Sequence, residues 1–180
     1  MIESHRTVEE VVPKCYNLVM KTIPLTKGYF TKVDDEDYEW LAVNRWYADK
    51  HWRDMVVRAR RHTKTVDGKR HMISMSRIIL KAPEGKYVDH INGDTLDNRK
   101  CNLRLCTNLQ NSRNTQLSKR NTSGYKGVHL VKATGKWAVH IMVDGKLRHC
   151  GTFIDKVEAA KKYNNLAKKY FGDFAKLNDL

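Results

Sequence analysis

The residues best suited to chemistry lie between positions 88 and 111 of the chain. A carboxylate and an imidazole stand side by side at Asp89 and His90, and an amide follows at Asn111. Carboxylate and amide oxygens are hard ligands that suit magnesium or manganese. An imidazole with an ordinary pKa of about 6.5 can take a proton from water near neutral pH. The three side chains therefore suit metal-assisted hydrolysis of a phosphodiester.

The surrounding sequence predicts the elements that position these side chains. Val88–Ile91 predicts a short strand, and residues 92–101 are rich in Asn, Asp and Gly and predict a long loop. Leu103–Cys106 alternates and predicts a second strand. Thr107 and Gln110 form a capping box, which indicates that a helix begins there. A hairpin crossed by this helix would bring the three candidate side chains together. The polar loop residues are interpreted as turn formers: Asn92, Asp94, Asp97 and Asn98.

The sequence before this region predicts two hairpins and a helix. Lys27-Gly28 and Asp67-Gly68 each separate two segments with strand character. The acidic run 34–37 suits the positive end of a helix, with Tyr38 and Leu41 on its buried side. The segment after residue 55 carries a basic face that includes Arg58 and Arg60. That face is either a solvated strand edge or a ribbon that contacts phosphates.

Composition limits the classes of protein that fit. The chain has 180 residues and a net charge of +14, from 34 Lys and Arg against 20 Asp and Glu. No apolar run is long enough for a membrane span or a signal peptide. The four cysteines are too few and too scattered for a disulfide framework, and Cys101 and Cys106 alone do not make a zinc knuckle. We therefore expect an intracellular protein that binds a polyanion, and charge alone fits a ribosomal protein, a repressor or a nuclease.

The last third of the chain predicts a separate module. Residues 119–180 hold 13 Lys and Arg against 5 Asp and Glu. Gly127–Val131, Lys136–Val143 and Lys146–Phe153 predict three antiparallel strands. A helix is expected from the cap at Asp155 to about residue 170, covering the sheet face that carries Trp137. The other sheet face is left open, and a sheet of this kind can enter a DNA major groove.

The central motif resembles the HNH endonucleases, and more narrowly the phage and intron-encoded HNH homing endonucleases. The resemblance is carried by Val88–Gly93, Leu96–Arg99, Asn102–Arg104 and Gln110-Asn111, and upstream by 23–26 and 34–41. It implies that Asp89 and Asn111 bind one divalent metal ion, that His90 is the general base, and that Asn102 braces the loop that positions this histidine.

The C-terminal module resembles the Apetala/ethylene-response-factor type of DNA-binding domain. The match is carried by Asn121–Val128, Lys136-Trp137, Gly151–Phe153 and Glu158–Ala160. It implies DNA contacts from the sheet face at Lys126, His129, His140, Met142 and His149. Charge adds four candidates for phosphate contact: Lys132, Lys136, Lys146 and Arg148.

Together these features predict an α+β protein, with a ββα-metal (HNH) catalytic module followed by a three-stranded antiparallel sheet packed on one helix. The expected domains are 1–115 with the ββα-metal core at about 85–115, a basic linker at 116–123, and a DNA-binding domain at 124–180. The expected function is a site-recognising HNH DNA endonuclease of the homing type that nicks one strand of double-stranded DNA. It would use one magnesium or manganese ion, bind DNA as a monomer and act in the cytoplasm of a phage-infected or bacterial cell.

Two alternatives stay open at this point. The first is a DNA-binding regulator with an inactive nuclease site, which is supported only by Ser76 at a position where many relatives carry histidine. The second is an RNA-binding protein, which charge alone would also permit.

Overall fold

The chain folds as a mixture of small antiparallel sheets and short helices. A computed structural model describes residues 19–51, 56–63, 68–118 and 120–180. No helix in these ranges is both long and apolar enough to cross a membrane. The chain divides into two compact units: the first holds the residues up to Ala82 together with Asp94–Arg104, and the second holds Pro83–Gly93 and Leu105–Leu180. The predicted division at 116–123 differs from these units, because the residues on both sides of that segment pack within the second unit.

The first unit contains a two-stranded sheet, a three-stranded sheet and two helices. In chain order they are β1 (Met20–Pro24), β2 (Phe30–Asp34), α1 (Asp35–Ala42), β3 (Tyr47–Lys50), β4 (Val57–Thr63), β5 (His71–Ser74) and α2 (Met75–Ile79). β1 pairs with β2, and β4 lies between β3 and β5.

The first hairpin is the one predicted around Lys27-Gly28. β1 and β2 are antiparallel, with Ile23 opposite Thr31. The connection reverses the chain with φ of +62° at Lys27 and +74° at Gly28, a conformation that glycine adopts at little cost. The second predicted hairpin is formed by β4 and β5, although Asp67 of its turn lies outside the described residues.

Helix α1 begins within the acidic run 34–37, as expected from the helix dipole. Its first turn carries three carboxylates. Leu41 is fully buried, and its carbonyl accepts a hydrogen bond from the indole of Trp46 at 2.9 Å. Trp40 is 42% exposed and lies at the surface of the unit.

The second unit contains the remaining strands and helices. In chain order they are β6 (Tyr87–His90), β7 (Leu103–Cys106), α3 (Asn108–Arg113), β8 (Val128–Val131), β9 (Lys136–Val143), β10 (Lys146–Phe153) and α4 (Lys156–Phe171). β6 and β7 form a two-stranded sheet, and the C-terminal sheet has the order β10-β9-β8. The chain enters the second unit within β7.

One face of the C-terminal sheet packs on α4, as the alternation predicts. Val128, Val139 and Ile141 contribute to a buried cluster with Ala160 and Tyr163 of the helix. Gly127 lies against the Tyr163 ring, since a methyl group there would meet a ring carbon at 2.1 Å. The opposite sheet face carries no helix from this cluster and is available to a ligand.

Candidate active site and nucleic-acid interface

Asp89 and His90 lie at the end of β6, where the strand meets the turn that follows. Asp89 is buried, with 5% of its surface exposed, and His90 is half-buried. The carbonyl of His90 accepts a hydrogen bond from the Gly93 amide at 2.8 Å, which closes the turn. Gly93 has a φ of +81°, and a methyl group at this position would collide with the side chain of Gln116. The positive φ therefore favours glycine in the turn that follows the histidine.

Asn114 is the side chain that holds this strand end. Its amide Nδ2 lies 2.9 Å from Asp89 Oδ1 and 3.1 Å from Asp89 Oδ2, and 2.9 Å from the His90 carbonyl oxygen. All three partners are acceptors, so the amide nitrogen is the donor to each of them. Asn114 is 8% exposed. It fixes the carboxylate and the backbone that carries the imidazole at the same time.

Sequence reasoning missed Asn114. The signal was present, because Asn114 follows Asn111 by three residues and this spacing places two side chains on neighbouring positions of a helix.

Asn111 lies on α3, which packs against β6 within the second unit. The helix begins with the predicted capping box: Gln110 donates its backbone N–H to the Thr107 hydroxyl, and its side-chain oxygen accepts from the Thr107 N–H. Asn111 is half-buried, and within the described part of the chain its side-chain amide makes no hydrogen bond. Its oxygen is therefore available to a ligand.

Asn102 belongs to the first unit and braces the long loop. Its Nδ2 donates to the carbonyl of Asp97 at 2.8 Å, and Asn102 is 4% exposed. The Asp97 carboxylate in turn binds the Arg99 guanidinium through two contacts of 2.7 Å, which raises the pKa of Arg99. This loop-bracing contact is the kind of role that the resemblance implies for Asn102.

Two loop residues interpreted as turn formers do more than make turns. Asp97 and Asn98 are 1% and 2% exposed. Asn98 donates from its backbone to the Lys32 carbonyl and from its side chain to the Thr31 hydroxyl, both at 2.8 Å. The Lys32 N–H bonds to the Leu96 carbonyl at 2.8 Å. The loop is thus attached to β2 along the first hairpin.

Lys100 adds a second attachment of the loop, to the start of α1. Its backbone N–H donates to Asp34 Oδ2 at 2.7 Å, and its ammonium lies 2.5 Å from a Glu36 oxygen and 3.0 Å from Asp37 Oδ2. The hydrogen bond with Glu36 is the main cause of a raised pKa at Lys100. The acidic residues at the start of α1 therefore also bind Lys100 and anchor the loop that carries it.

The open face of the C-terminal sheet carries a row of three imidazoles. His149 pairs with His140 across β9 and β10, and His129 lies on β8. The rings of His129 and His140 stack at 4.6 Å, and those of His140 and His149 lie 5.0 Å apart. Burial, followed by repulsion from the two neighbouring imidazoles, lowers the pKa of His140. Met142 is 53% exposed, pairs with Leu147 and lies on the same face.

Strand register places the candidate cations on different faces. Lys146 is opposite Val143 and Arg148 is opposite Ile141, and both valine and isoleucine point to the core. The Arg148 guanidinium lies over the Tyr170 ring of α4 at 5.7 Å. The structure therefore puts Lys146 and Arg148 on the helix side of the sheet, away from the imidazoles. Lys136 pairs with Val131 at the edge of the open face, and Lys132 is exposed in the following turn.

Lys126 is not on the open face either. Its ammonium donates to the carbonyls of Arg113 and Thr115, both at 2.8 Å. Burial lowers its pKa to about 8, and repulsion from Lys176 contributes further. DNA contact by Lys126 was predicted from resemblance, whereas the structure engages this side chain inside the second unit.

The basic strand of the first unit carries Arg58 and Arg60 on the side opposite the buried Ala59. Both arginines are half-buried, and Arg60 forms an ion pair of 2.9 Å with Asp49. Their contact with DNA stays a prediction. Ser76, the position that departs from many relatives, is 6% exposed in the first turn of α2 and presents almost no surface to a ligand.

Comparison of the sequence with known proteins identifies relatives of the chain. Residues 81–113 match the HNH_3 family, described as HNH endonuclease. Protein 3.8 of Escherichia phage T7 is 34% identical over 94 residues, which cover 52% of this chain and 77% of that protein. An uncharacterized HNH endonuclease of Acanthamoeba polyphaga mimivirus is 34% identical over 100 residues, covering 56% of this chain and 51% of that protein. No solved structure matches the chain. Because more than three quarters of Protein 3.8 is covered, the chain belongs to the same family as that phage protein, and it carries an HNH endonuclease segment at residues 81–113.

Proposed function

We propose that the protein is a site-recognising, metal-dependent DNA endonuclease of the homing type that cuts one strand per binding event. The observation that carries the proposal is the fixed pair of Asp89 and His90, which Asn114 holds at the end of β6 beside the helix that presents Asn111. A buried carboxylate next to a half-buried imidazole, inside a segment that matches HNH endonucleases, is the arrangement that phosphodiester hydrolysis needs.

The donor set fits one hard divalent cation. Asp89 and Asn111 would hold magnesium or manganese, which prefer oxygen ligands. Asp89 offers two carboxylate oxygens, both of which accept from Asn114, and Asn111 offers an amide oxygen. Within the described ranges no group of three or more His, Cys, Asp or Glu is placed to hold a metal ion, so water and phosphate oxygens would complete the coordination. When bound, the ion supplies stabilisation of charge on the phosphate and on the leaving 3′ oxygen.

His90 provides the general base. Its carbonyl oxygen accepts hydrogen bonds from both the Asn114 amide and the Gly93 N–H. A fixed imidazole takes a proton from the attacking water, because its ordinary pKa lies close to neutral pH. The expected products carry a 5′ phosphate and a 3′ hydroxyl, as the HNH resemblance implies.

The C-terminal module, of the Apetala type by resemblance, supplies target recognition. Its open face offers the imidazoles of His129, His140 and His149 together with Met142, and the module carries most of the excess positive charge. Cations at the edge and turn, Lys136 and Lys132, suit phosphates. Arg58 and Arg60 of the first unit are proposed as a further phosphate-contacting strand. The proposed setting is the cytoplasm of a phage-infected bacterial cell, which agrees with the phage origin of Protein 3.8.

His90→Ala tests the chemical assignment. Loss of a positioned base is expected to slow cleavage by roughly 10²- to 10⁴-fold, while DNA affinity stays close to that of the unaltered protein. His71→Ala is the matched control, since His71 is an exposed histidine of β5. Cleavage at the unaltered rate by His90→Ala would show that another group is the base.

Removal of divalent metal with EDTA separates the endonuclease from its main alternative. Chelation is expected to abolish cleavage and leave binding to duplex DNA intact. Binding without any cleavage over a range of magnesium and manganese concentrations would instead identify a DNA-binding regulator with an inactive nuclease site. Preference for RNA over duplex DNA in the same binding assay would favour the RNA-binding alternative.

A further inference from the structure

We infer that Lys126 is a positioning residue for the nuclease, because it ties the end of helix α3 to the start of the C-terminal sheet. The inference rests on the proposed endonuclease function. Both partners of this tie, α3 and the C-terminal sheet, lie in the second unit. The contact therefore joins the element that presents Asn111 and Asn114 to the module proposed to read DNA.

The first step of the argument is the position of the Lys126 ammonium. It donates to the carbonyl oxygens of Arg113 and Thr115, each at 2.8 Å. Arg113 is the last residue of α3, and Thr115 follows the Asn114 cap. The carbonyls at a helix C-terminus lack partners within the helix and carry its partial negative charge. A cation bound to both fixes the backbone on either side of Asn114.

The second step is that the backbone of Lys126 is itself fixed. Its N–H donates to Asn178 Oδ1 at 2.6 Å, and its carbonyl accepts from Asn178 Nδ2 at 3.1 Å. Asn178 is anchored to α4 by two reciprocal hydrogen bonds with Asn164, of 2.7 and 2.9 Å. The backbone of Lys126 is therefore held in place by α4. Its side chain bonds to the end of α3, so the position of α3 depends on that of the C-terminal sheet.

The third step is a parallel contact from the same helix end. The Arg113 guanidinium lies over the Phe171 ring at the end of α4, 4.7 Å from its centroid. Nearby, Gln116 packs against Gly93 in the turn after His90. The segment expected to be a linker is thus used to join the catalytic turn, α3 and the C-terminal module.

The chemical consequence concerns geometry rather than DNA affinity. Asn114 holds Asp89 and His90 through bonds of about 3 Å, so a shift of the helix end displaces both. A displacement of about 1 Å at a reacting group can cost up to roughly 10²-fold in rate. Two of the three N–H donors of the Lys126 ammonium bond to carbonyls inside the unit, so we expect its loss to change DNA affinity little.

Lys126→Met is the test, with Lys162→Met as the matched control because Lys162 is an exposed lysine on α4. DNA affinity is measured without divalent metal, and the cleavage rate is measured with magnesium at saturating enzyme. For Lys126→Met we expect cleavage to be about 10- to 100-fold slower. DNA affinity is expected to stay within about threefold of that of the unaltered protein, which is less than the loss of one phosphate contact would cause. Lys126→Arg keeps a cation with several donors and is expected to recover most of the lost rate.

Each outcome decides the inference. An unchanged cleavage rate in Lys126→Met overturns it, and a parallel loss of affinity overturns it in favour of direct DNA contact. If Lys126→Met fails to fold by circular dichroism, Arg113→Gln carries the test, since it removes the contact with Phe171 and should slow cleavage at unchanged affinity. If the unaltered protein binds DNA but never cleaves it, the proposed endonuclease function is contradicted. That result is distinct from a failure of the Lys126 inference, in which the unaltered protein and Lys126→Met cleave at the same rate.

Discussion

The carboxylate of Asp89 is held on both of its oxygens by one amide group, from Asn114. This contact is buried, and buried hydrogen bonds to a charged group contribute more than neutral ones. One uncharged side chain therefore contributes both to the orientation of the Asp89 carboxylate and to the position of the His90 carbonyl.

Asn114→Ala is expected to destabilise the fold by about 1–3 kcal/mol, because Asp89 is left buried without this donor. Denaturant unfolding measures the loss, with the exposed Asn165→Ala as control. Asn114→Asp is expected to be worse than the alanine variant, since it places a second carboxylate against Asp89 and raises the pKa of the pair. Equal stability of the aspartate and unaltered proteins would contradict the hydrogen-bond assignment.

At the scale of elements, the imidazole row on β8, β9 and β10 makes the open sheet face sensitive to pH. Its main cations are histidines, and binding to phosphates favours their charged form, so protons are taken up on binding. DNA affinity is then expected to rise as pH falls. Burial is the main cause of a pKa of His140 below its ordinary 6.5, so the rise in affinity is expected to continue below pH 6.5.

At fixed ionic strength, we expect DNA affinity to increase by about tenfold or more between pH 7.5 and 5.5. A tenfold change corresponds to a shift of about one unit in a histidine pKa on DNA binding. The double variant His129→Gln with His149→Gln should flatten this dependence, and the exposed His71→Gln should not. A folding check accompanies the titration, because a lowered histidine pKa means that folding stability declines as pH falls below 6.5. A double variant with the full pH dependence would rule out this face as the source.

The elements themselves were largely predictable from sequence, and the particular contacts were not. Alternation and glycine turns located all three C-terminal strands, and the capping box located the start of α3. The faces of Lys146 and Arg148 could have been derived as well: the two-residue turn after Val143 pairs Lys146 with that buried valine, so alternate residues on β10 must follow it. Charge alone predicted phosphate contact for these two residues and did not assign them to a face.

Other features depend on contacts between residues distant in sequence, which periodicity does not encode. Lys126 bonds to Arg113 at the end of α3, which is 13 residues away. The Asn98 side chain bonds to Thr31 of β2, which is 67 residues away. Lysine and asparagine are common on protein surfaces. The local sequence around Lys126 and Asn98 therefore does not indicate that their side chains bond to distant segments.

At the scale of the whole molecule, the sequence contains one Asp-His pair, Asp89–His90, and therefore one proposed active site. One base and one metal ion hydrolyse one phosphodiester at a time, so cleavage of both strands needs a second chain or a repositioned first one. The first unit and the C-terminal module are dissimilar proposed DNA-binding surfaces, which suits an asymmetric site bound by a monomer. A symmetric dimer would instead read a two-fold symmetric site.

A supercoiled plasmid that carries the target is expected to accumulate as relaxed circles, with a rate that is first order in enzyme. Agarose gel analysis over a series of enzyme concentrations measures both properties. Direct conversion to linear DNA with no relaxed intermediate, or a rate that rises with the square of enzyme concentration, would indicate a dimer that cuts both strands.

The attachment of Lys126 to Asn178 also affects the order in which the protein becomes active during synthesis. Domains generally fold as units as they leave the ribosome. The second unit draws on Pro83–Gly93, on α3 and on a residue as late as Asn178. The proposed catalytic turn therefore emerges long before the support that fixes it, and nascent chains from which Asn178 has not yet emerged would hold an incomplete site. Cleavage competence would arrive together with the DNA-reading module, so that an unguided nuclease is not released into a cell full of DNA.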